Sequence, residues 1–523
     1  MTPLTLIDLI SGLPIHWVCS RPLGSASVHA IQYDSREVTA GDIFIAVSGG
    51  NVDGHEFIPA AIERGAIAVV GAKSLSGDLP VPYIQVEDPR EAMAYLAAAI
   101  YDHPARKLTV IGVTGTDGKT TTSNILYSIL TTAGIKAGLI TSVNAIIGGK
   151  VVDTGFHVTT PEAIDVQRYL AQMVAAGLSA VVLETTSHGL AQHRVTACEF
   201  DIAVVTNITH EHLDYHHTYE EYRAAKARMF TSLQQTVDKP FGNPRLAVLN
   251  RDDSSYDFLN NLIPGEKITY ALETEADFTA ANVSSSSKGV EFTLHGDGVD
   301  LKAHCNLPGR FNVSNSLAAF CAARGLGIDA KTAVKGIARL QGVIGRMEAI
   351  NLGQAFTAIV DFAHTPNAMN AAIKTAREMT DKRVITVFGS AGLRDRVKRR
   401  LMAASSVKMA DVTILTAEDP RIESLDDILA EMAGAAEKAG GIEGKDFYRI
   451  ADRGEAIRFA VKLAQAGDLV MACGKAHEQS MCFGTVEYPW DDRVAMQAAL
   501  AELLGIPGAE MPWLPTSSAP PKP

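Results

Sequence analysis

The chain is poor in cysteine, in excess positive charge and in long apolar runs, and each shortage removes a class of protein. Six cysteines among 523 residues (Cys19, Cys198, Cys305, Cys321, Cys473 and Cys482) are irregularly spaced and form no CxxC pair. Neither a disulfide framework nor a zinc ribbon is expected, and all are read as free thiols. Lys+Arg 47 against Asp+Glu 59 leaves a net charge of −12. That balance argues against a nonspecific nucleic-acid coat, because phosphate affinity rests on excess positive charge. No window reaches the roughly eighteen consecutive apolar residues of a membrane span. The amino-terminal MTPLTLIDLISGLP has no Lys or Arg ahead of its apolar residues, so no export signal is expected and the cytoplasm is the expected compartment. There is no repeat of solenoid period, and the one low-complexity run, Ser284–Ser287, is read as a loop.

What is present resembles an ordinary soluble globular chain, with 47% apolar and 20% charged residues. At roughly 150 residues per domain the length implies about two to four domains. Periodicity divides the chain into blocks. In 1–104, short apolar runs (Ile43–Val47, Ile67–Val70) alternate with helical stretches such as Glu91–Ile100, predicting a small α/β unit that ends in a linker at Tyr101–Pro104. In 105–342, the apolar strand Lys107–Val113 precedes a glycine-rich turn and a helix with Ile125, Leu126, Ile129 and Leu130 on one face. In 343–514, strands Ala358–Phe362, Val384–Phe388 and Val412–Thr416 alternate with helices, predicting a mostly parallel sheet, and 515–523 reads as a disordered tail.

The most informative stretch runs from Gly112 to Thr122, GVTGTDGKTTT. Glycines let successive backbone N–H groups converge on phosphate oxygens while the next helix offers its positive end. Lys119 would neutralise the β/γ-phosphates, and the Thr120 hydroxyl would ligate Mg²⁺. The strict GxxxxGK[ST] pattern is missed by one residue, since Val113 stands where its first glycine belongs. A plain glycine turn before a helix is the bland reading, and a nucleotide switch or motor is a competitor within the motif.

Other candidates are ambiguous alone. Glu184 follows the apolar run Ala180–Leu183, which puts it at a strand's carboxyl end, where open α/β sheets place ligands, but a satisfied structural carboxylate reads equally well. His212 lies in a His-rich stretch from His210 to His217; an HExxH zinc site is ruled out because Asp214 occupies the second His position. Lys226, within the helical stretch Tyr219–Phe230, reads by itself as a solvated helix face. The basic run Arg394–Arg400 has no interleaved aromatics to stack on bases, which weakens a nucleic-acid reading.

Taken in order, Asp34-Ser35-Arg36, the phosphate loop, Glu184–Leu190 (ETTSHGL), Asn207–Asp214 (NITHEHLD), Ala224-Ala225-Lys226, Gly345–Glu348 (GRME), Asp361–Pro366 (DFAHTP) and Gly474–Glu478 (GKAHE) resemble the Mur ligases of the MurE type. The resemblance implies a three-domain α/β architecture with a central P-loop ATP-binding domain and a Rossmann-like, amino-acid-binding carboxyl-terminal domain. It also implies ligation of a diamino acid to UDP-N-acetylmuramoyl-L-Ala-D-Glu in peptidoglycan precursor synthesis, through an acyl phosphate and with release of ADP.

By the same resemblance, ATP meets Gly115, Thr116, Asp117, Gly118, Lys119, Thr120, Thr121, Asn312, Arg346 and Asp361. Mg²⁺ meets Thr120, Glu184, His212 and Lys226, the last as a CO₂-derived carbamate. The uridine nucleotide end falls to Tyr33, Ser35, Gly49, Gly50 and Asn51, and the muramyl-dipeptide to Thr159, Thr160, Thr186, Ser187, Gln192 and Arg194. The amino acid falls to Arg394, Glu418, Asp419, Pro420, Arg421, Gly474 and Glu478. Relatives that use meso-2,6-diaminopimelate carry DNPR where this chain has Glu418-Asp419-Pro420-Arg421, so the arginine is kept and one negative charge is added. Meso-diaminopimelate is favoured, with L-lysine or L-ornithine as the alternative. A folylpolyglutamate or cyanophycin-type ligase and a P-loop switch or binding module are more remote. No nucleic-acid or membrane partner is expected, and a monomer is.

Overall fold

The computed structural model describes residues 4–49, 52–75, 77–152, 160–209 and 213–518. Its strands form three main sheets. The first orders Trp17–Cys19, Tyr83–Val86, Ala68–Gly71, Ile43–Ala46 and Ile31–Gln32, parallel except at Trp17–Cys19. Ile43–Ala46 and Ala68–Gly71 are buried along their whole length, as expected for parallel strands covered on both faces.

The second sheet has eleven strands. Its parallel centre runs Leu246–Asn250, Ile202–Val205, Thr109–Thr114, Ala180–Glu184, Ala137–Ile140, and apolar layers pack on its two faces. The predicted strand Lys107–Val113 starts at Thr109, because Pro104–Lys107 forms a 3₁₀ turn ahead of it. An antiparallel extension, Phe278–Ser286, Gly289–Gly296 and Val299–Cys305, continues one edge. This corrects the expected loop at Ser284–Ser287: Ser284, Ser285 and Ser286 pair with Glu291, Val290 and Gly289. An antiparallel strand with one wet face tolerates polar residues that read as a loop in sequence.

The third sheet orders Glu348–Ile350, Thr357–Asp361, Leu469–Cys473, Val384–Phe388, Val412–Leu415 and Phe447–Arg449, parallel except at Glu348–Ile350. A hairpin, Ser480–Phe483 with Val486–Pro489, stands beside it. The segment expected to be a disordered tail is partly tied down. Leu514 is fully buried, and Thr516 and Ser517 donate to Asp452 Oδ2 at 2.8 and 2.9 Å, so hydroxyls that suggested disorder act as ligands of a helix-capping carboxylate. All six cysteines are free, and no helix among the described residues is long and apolar enough to cross a membrane.

Candidate active site

The phosphate loop leaves the central strand Thr109–Thr114 and enters the helix Lys119–Thr132. Gly118 caps that helix at φ 83°, and a Cβ there would stand 2.3 Å from Asn315 Oδ1, so glycine is required on both counts. The loop is braced from the neighbouring strand end. Asn207 O accepts from Thr116 N at 2.7 Å, Asn207 Oδ1 from Asp117 N at 2.9 Å, and Thr206 Oγ1 donates to Asp117 O at 2.6 Å. Lys119 Nζ donates to Thr116 O at 2.9 Å, which holds its charge over the loop.

Strand pairing sets Glu184 beside this loop, since Glu184 is in register with Val113. Its carboxylate is 1% exposed, yet its partners are uncharged: Thr120 Oγ1 at 3.0 Å, Ser142 N at 3.2 Å and Ser142 Oγ at 3.4 Å. A buried carboxylate with no direct ion pair among the described residues, reached by Arg346 only through the Thr120 hydroxyl and set next to a phosphate loop, suits a hard divalent cation. Among the described residues no cluster of three or more His, Cys, Asp and Glu could hold a metal by itself. The donor set therefore fits Mg²⁺ shared with phosphate oxygens, the usual arrangement for that ion. Ser142 has no motif and was missed from sequence; it follows Ala137–Ile140, which pairs with the Glu184 strand.

Lys226 is buried rather than on a solvated helix face. Its Nζ donates to Gly115 O at 2.6 Å and lies 4.7 Å from the centre of the Tyr222 ring. The Tyr222 hydroxyl in turn meets Thr116 Oγ1 at 2.9 Å. His212 lies outside the described residues, as do Gly50, Asn51 and Thr159.

Across the loop the third sheet presents its carboxyl edge. Arg346 Nη2 donates to Thr120 Oγ1 at 3.0 Å while its guanidinium covers Phe362 at 4.6 Å. Asp361 accepts from Met347 N at 2.7 Å and Ala363 N at 2.8 Å, and burial raises its pKa against the pull of Arg346. Between these elements lies a cavity of about 420 Å³ lined by Thr116–Thr121, Asn207, Asn312, Arg346, Asp361 and His364. Asn312 reaches this wall with its amide committed, donating to Pro308 O at 2.8 Å and accepting from Asn315 Nδ2 at 2.9 Å. Burial raises the Asp117 carboxyl and drives the His364 imidazole well below its ordinary value, so the cavity tends to keep His364 neutral.

On the other side of Glu184, Thr160 Oγ1 meets Thr186 Oγ1 at 3.1 Å and accepts from Thr186 N at the same distance. Ser187 Oγ is buried with no partner among the described atoms. Arg194 donates to Gln192 Oε1 at 2.8 Å and Thr160 O at 2.7 Å and pairs with Glu162 at 2.9 Å. The first sheet leans on this group: Arg90 lies 3.7 Å from Glu162, and the Tyr33 phenol is raised by burial and by the Glu162 and Asp165 charges. Ser35 and Gly49 sit on loops at the same edge, after the parallel strands Ile31–Gln32 and Ile43–Ala46.

The remaining predicted residues gather at the carboxyl edge of the third sheet, after Val384–Phe388, Val412–Leu415 and Leu469–Cys473. Glu418 is buried with Oε2 unpartnered and facing Gly474, and burial pushes its pKa up to about 7, opposed by Arg453 and Lys398. Asp419 is paired with a lysine of the GKAHE motif, Lys475, that carries no role in the sequence reading. Lys475 Nζ lies 2.9 and 3.0 Å from the two Asp419 oxygens and 2.5 Å from Glu478 Oε2. Burial alone would lower the Lys475 pKa, but Glu478 and Asp419 raise it. Cys482 N also donates to Asp419 at 2.9 Å. Arg421 is held at φ 55°, its N donating to Cys482 O at 3.1 Å; Pro420 is buried beside it and Arg394 is exposed.

A phosphate loop on one parallel sheet, facing a second parallel sheet across a shared cleft, defines a class of enzyme that couples a nucleoside triphosphate to a reaction carried out between domains. Residues 113–323 match the model of the Mur ligase middle domain, 345–476 that of the Mur ligase, glutamate ligase domain, and 27–101 that of the Mur ligase family, catalytic domain. A UDP-N-acetylmuramyl-tripeptide synthetase of a Roseiflexus species is 42% identical over 489 residues, covering 92% of this chain and 96% of that protein. A UDP-N-acetylmuramoyl-L-alanyl-D-glutamate--2,6-diaminopimelate ligase of Geobacillus thermodenitrificans is 41% identical over 499 residues, covering 95% and 99%. A solved structure of a ligase bearing that same name aligns with TM-score 0.66 at 30% identity, covering 96% of this chain and 100% of that one. The chain belongs to the Mur ligase family.

Proposed function

We propose that this protein is an ATP-dependent, ADP-forming ligase that joins meso-2,6-diaminopimelate to the D-Glu of UDP-N-acetylmuramoyl-L-Ala-D-Glu in the cytoplasm, acting as a monomer. The observation that carries the reading is the convergence on one cleft of the phosphate loop, the Glu184–Thr120–Ser142 group and the Arg346–Asp361 edge of the facing sheet. The domains are 1–104 for the uridine nucleotide, 105–342 for ATP and 343–514 for the amino acid.

In this reading Lys119 and Arg346 draw charge from the phosphates, which lets the D-Glu γ-carboxylate attack the γ-phosphorus despite two like charges. ADP leaves, the acyl phosphate forms, and the amine of the incoming amino acid displaces phosphate at the acyl carbon, losing a proton. Thr120, Glu184, His212 and a carbamate on Lys226 would hold Mg²⁺, which supplies charge neutralisation along the phosphates. Burial of Lys226 beside the loop suits carbamylation, because CO₂ adds to an uncharged amine; a mass increment of one CO₂ on the Lys226 peptide tests it. Arg194 and the hydroxyls of Thr160, Thr186 and Ser187 are suited to the dipeptide's carboxylates, and Tyr33 is assigned to the nucleotide end.

Selection of diaminopimelate is supported by Arg421, whose guanidinium can pair with a distal carboxylate and would repel the ammonium of lysine. The extra charge at Asp419 is offset in part by Lys475, which Asp419 shares with Glu478. Phosphate release that requires both the muramyl-dipeptide and an amino acid, measured across a panel of amino acids, tests the whole reading. Release without either substrate favours an ATPase switch, and a higher kcat/KM for lysine or ornithine overturns the choice of amino acid.

A further inference from the structure

The loops that carry Arg394 and Arg421 are tied to each other by a guanidinium outside the substrate-facing set. Arg399, on the helix Arg396–Met409, is fully buried. Its Nη1 and Nη2 donate to Glu423 Oε1 and Oε2 at 2.9 and 3.0 Å, and Nη1 also to Glu431 Oε2 at 3.0 Å. Nη2 reaches back to Ala391 O at 3.4 Å. The same Glu423 carboxylate accepts from Leu393 N at 3.0 Å, so one acidic residue grips both loops. A backbone seam runs beside it, with Gly392 N donating to Asp419 O at 2.9 Å. A Cβ at residue 392 would stand 2.0 Å from Pro420 O, so the seam closes only over glycine.

The gripped loops are strained. Leu393, Asp419 and Arg421 adopt φ of 57°, 37° and 55°, and with Ala476 at 41° they are the positive-φ non-glycine residues among described positions 348–518. Side chains other than glycine stay in that region only where their surroundings hold them, and such residues gather at functional sites. Arg399 is fully buried with Nε unpartnered while its partner Glu423 is partly exposed, so the guanidinium carries a desolvation cost that apolar packing would avoid. What a bidentate fork supplies that apolar packing does not is a fixed relative orientation.

We propose that Arg399 and Glu423 are positioning residues for amino-acid selection, a clamp that sets the Arg394 and Arg421 loops in register so that the pocket is formed before the amino acid arrives. The proposal rests on the reading that these loops receive the amino acid. Without the clamp, each loop can relax toward ordinary backbone angles, and binding must then restore the geometry at the expense of affinity.

The test is steady-state kinetics of Arg399→Lys and Glu423→Gln, varying the amino acid, ATP and the UDP-dipeptide in turn, alongside thermal unfolding. Arg399→Lys keeps the charge and loses the fork; Glu423→Gln keeps the shape and an oxygen for Leu393 N. The expected result is an amino-acid KM raised roughly tenfold in the first and about fivefold in the second, with the other two KM values within about twofold of wild type. Discrimination between diaminopimelate and lysine should narrow by a similar factor. An unchanged amino-acid KM in both variants overturns the proposal, as does an equal rise in all three KM values with a lowered unfolding temperature, the signature of a structural pair. Should Arg399→Lys not fold, Glu423→Gln decides alone. A wild type that prefers lysine overturns the diaminopimelate reading, and the clamp is then judged on KM for lysine.

Discussion

The two edges that share the cleft solve opposite electrostatic problems. At the phosphate-loop edge, the direct partners of Glu184 are neutral donors, with Arg346 one hydroxyl away across Thr120, so its carboxylate can meet a cation that arrives with the nucleotide. At the facing edge the acidic groups are already paired inside the protein: Lys475 is shared between Asp419 and Glu478, Arg399 between Glu423 and Glu431, and Arg453 is fully buried against Asp492 with both Nε and Nη2 at 2.7 Å. In the proposed reading, the first edge binds an ion and the second reads the shape of a zwitterion. A site that must discriminate between amino acids gains from having few free charges beyond those it reads with.

The contrast can be broken most severely at the phosphate loop. Lys119→Ala removes a charge from a loop rather than a core, so turnover should fall by roughly 10²–10³ in kcat/KM, about 3–4 kcal/mol of transition-state stabilisation, with the unfolding temperature kept. Activity above about a tenth of wild type would remove Lys119 from the ATP site.

Among the acidic groups of the facing edge, Glu418 has a buried oxygen without a hydrogen-bond partner. Burial raises it from 4.5 to about 7, so the folded protein retains a proton that the unfolded chain releases. The resulting stability is complete below about 4.5 and is lost as pH rises through about 7, by an amount approaching about 3 kcal/mol. Glu418→Gln should abolish that slope, and denaturant unfolding of both proteins between those pH values checks it. A smaller effect is expected from Arg421→Ala, which should reduce the preference for diaminopimelate over lysine by roughly ten- to a hundredfold, the worth of one charge-assisted pair; an unchanged ratio shows that selection lies elsewhere. Smallest is Glu184→Gln: because ATP oxygens share the ion, the Mg²⁺ needed for half-maximal rate should rise roughly tenfold while nucleotide affinity changes little. Overlaid Mg²⁺ titrations would mark Glu184 as structural.

The same contrast decides what could be read in the sequence. The phosphate loop is contiguous, so strand, turn and helix announce it within Thr109–Thr132, and Glu184 follows from its place at a strand end. Ser142 was illegible because a lone serine becomes a partner of Glu184 only when Ala137–Ile140 pairs with Ala180–Glu184. At the amino-acid edge, Glu418-Asp419-Pro420-Arg421 suggested a surplus of negative charge, and the balancing Lys475 is 56 positions away. The strain there is hidden as well, since Leu393, Asp419 and Arg421 are ordinary residue types whose left-handed angles come from the packing of two loops. Ser284–Ser286 misled in the other direction, because composition alone cannot distinguish a loop from a strand with one wet face.

The tethered carboxyl-terminal segment sets a timetable for synthesis. Leu514 belongs to the apolar layer on the third sheet, together with Val360, Val387 and Val470, and Thr516 and Ser517 fasten the start of the helix Arg453–Leu463 through Asp452. The phosphate-loop sheet has its last strand once Cys305 has left the ribosome and its apolar layer once Val343 has, whereas the sheet beside Arg421 lacks part of its core until residue 514 has followed. At about 5–20 residues per second, the phosphate-loop sheet with its core in place would have about nine to thirty-four seconds to itself before the facing sheet is complete.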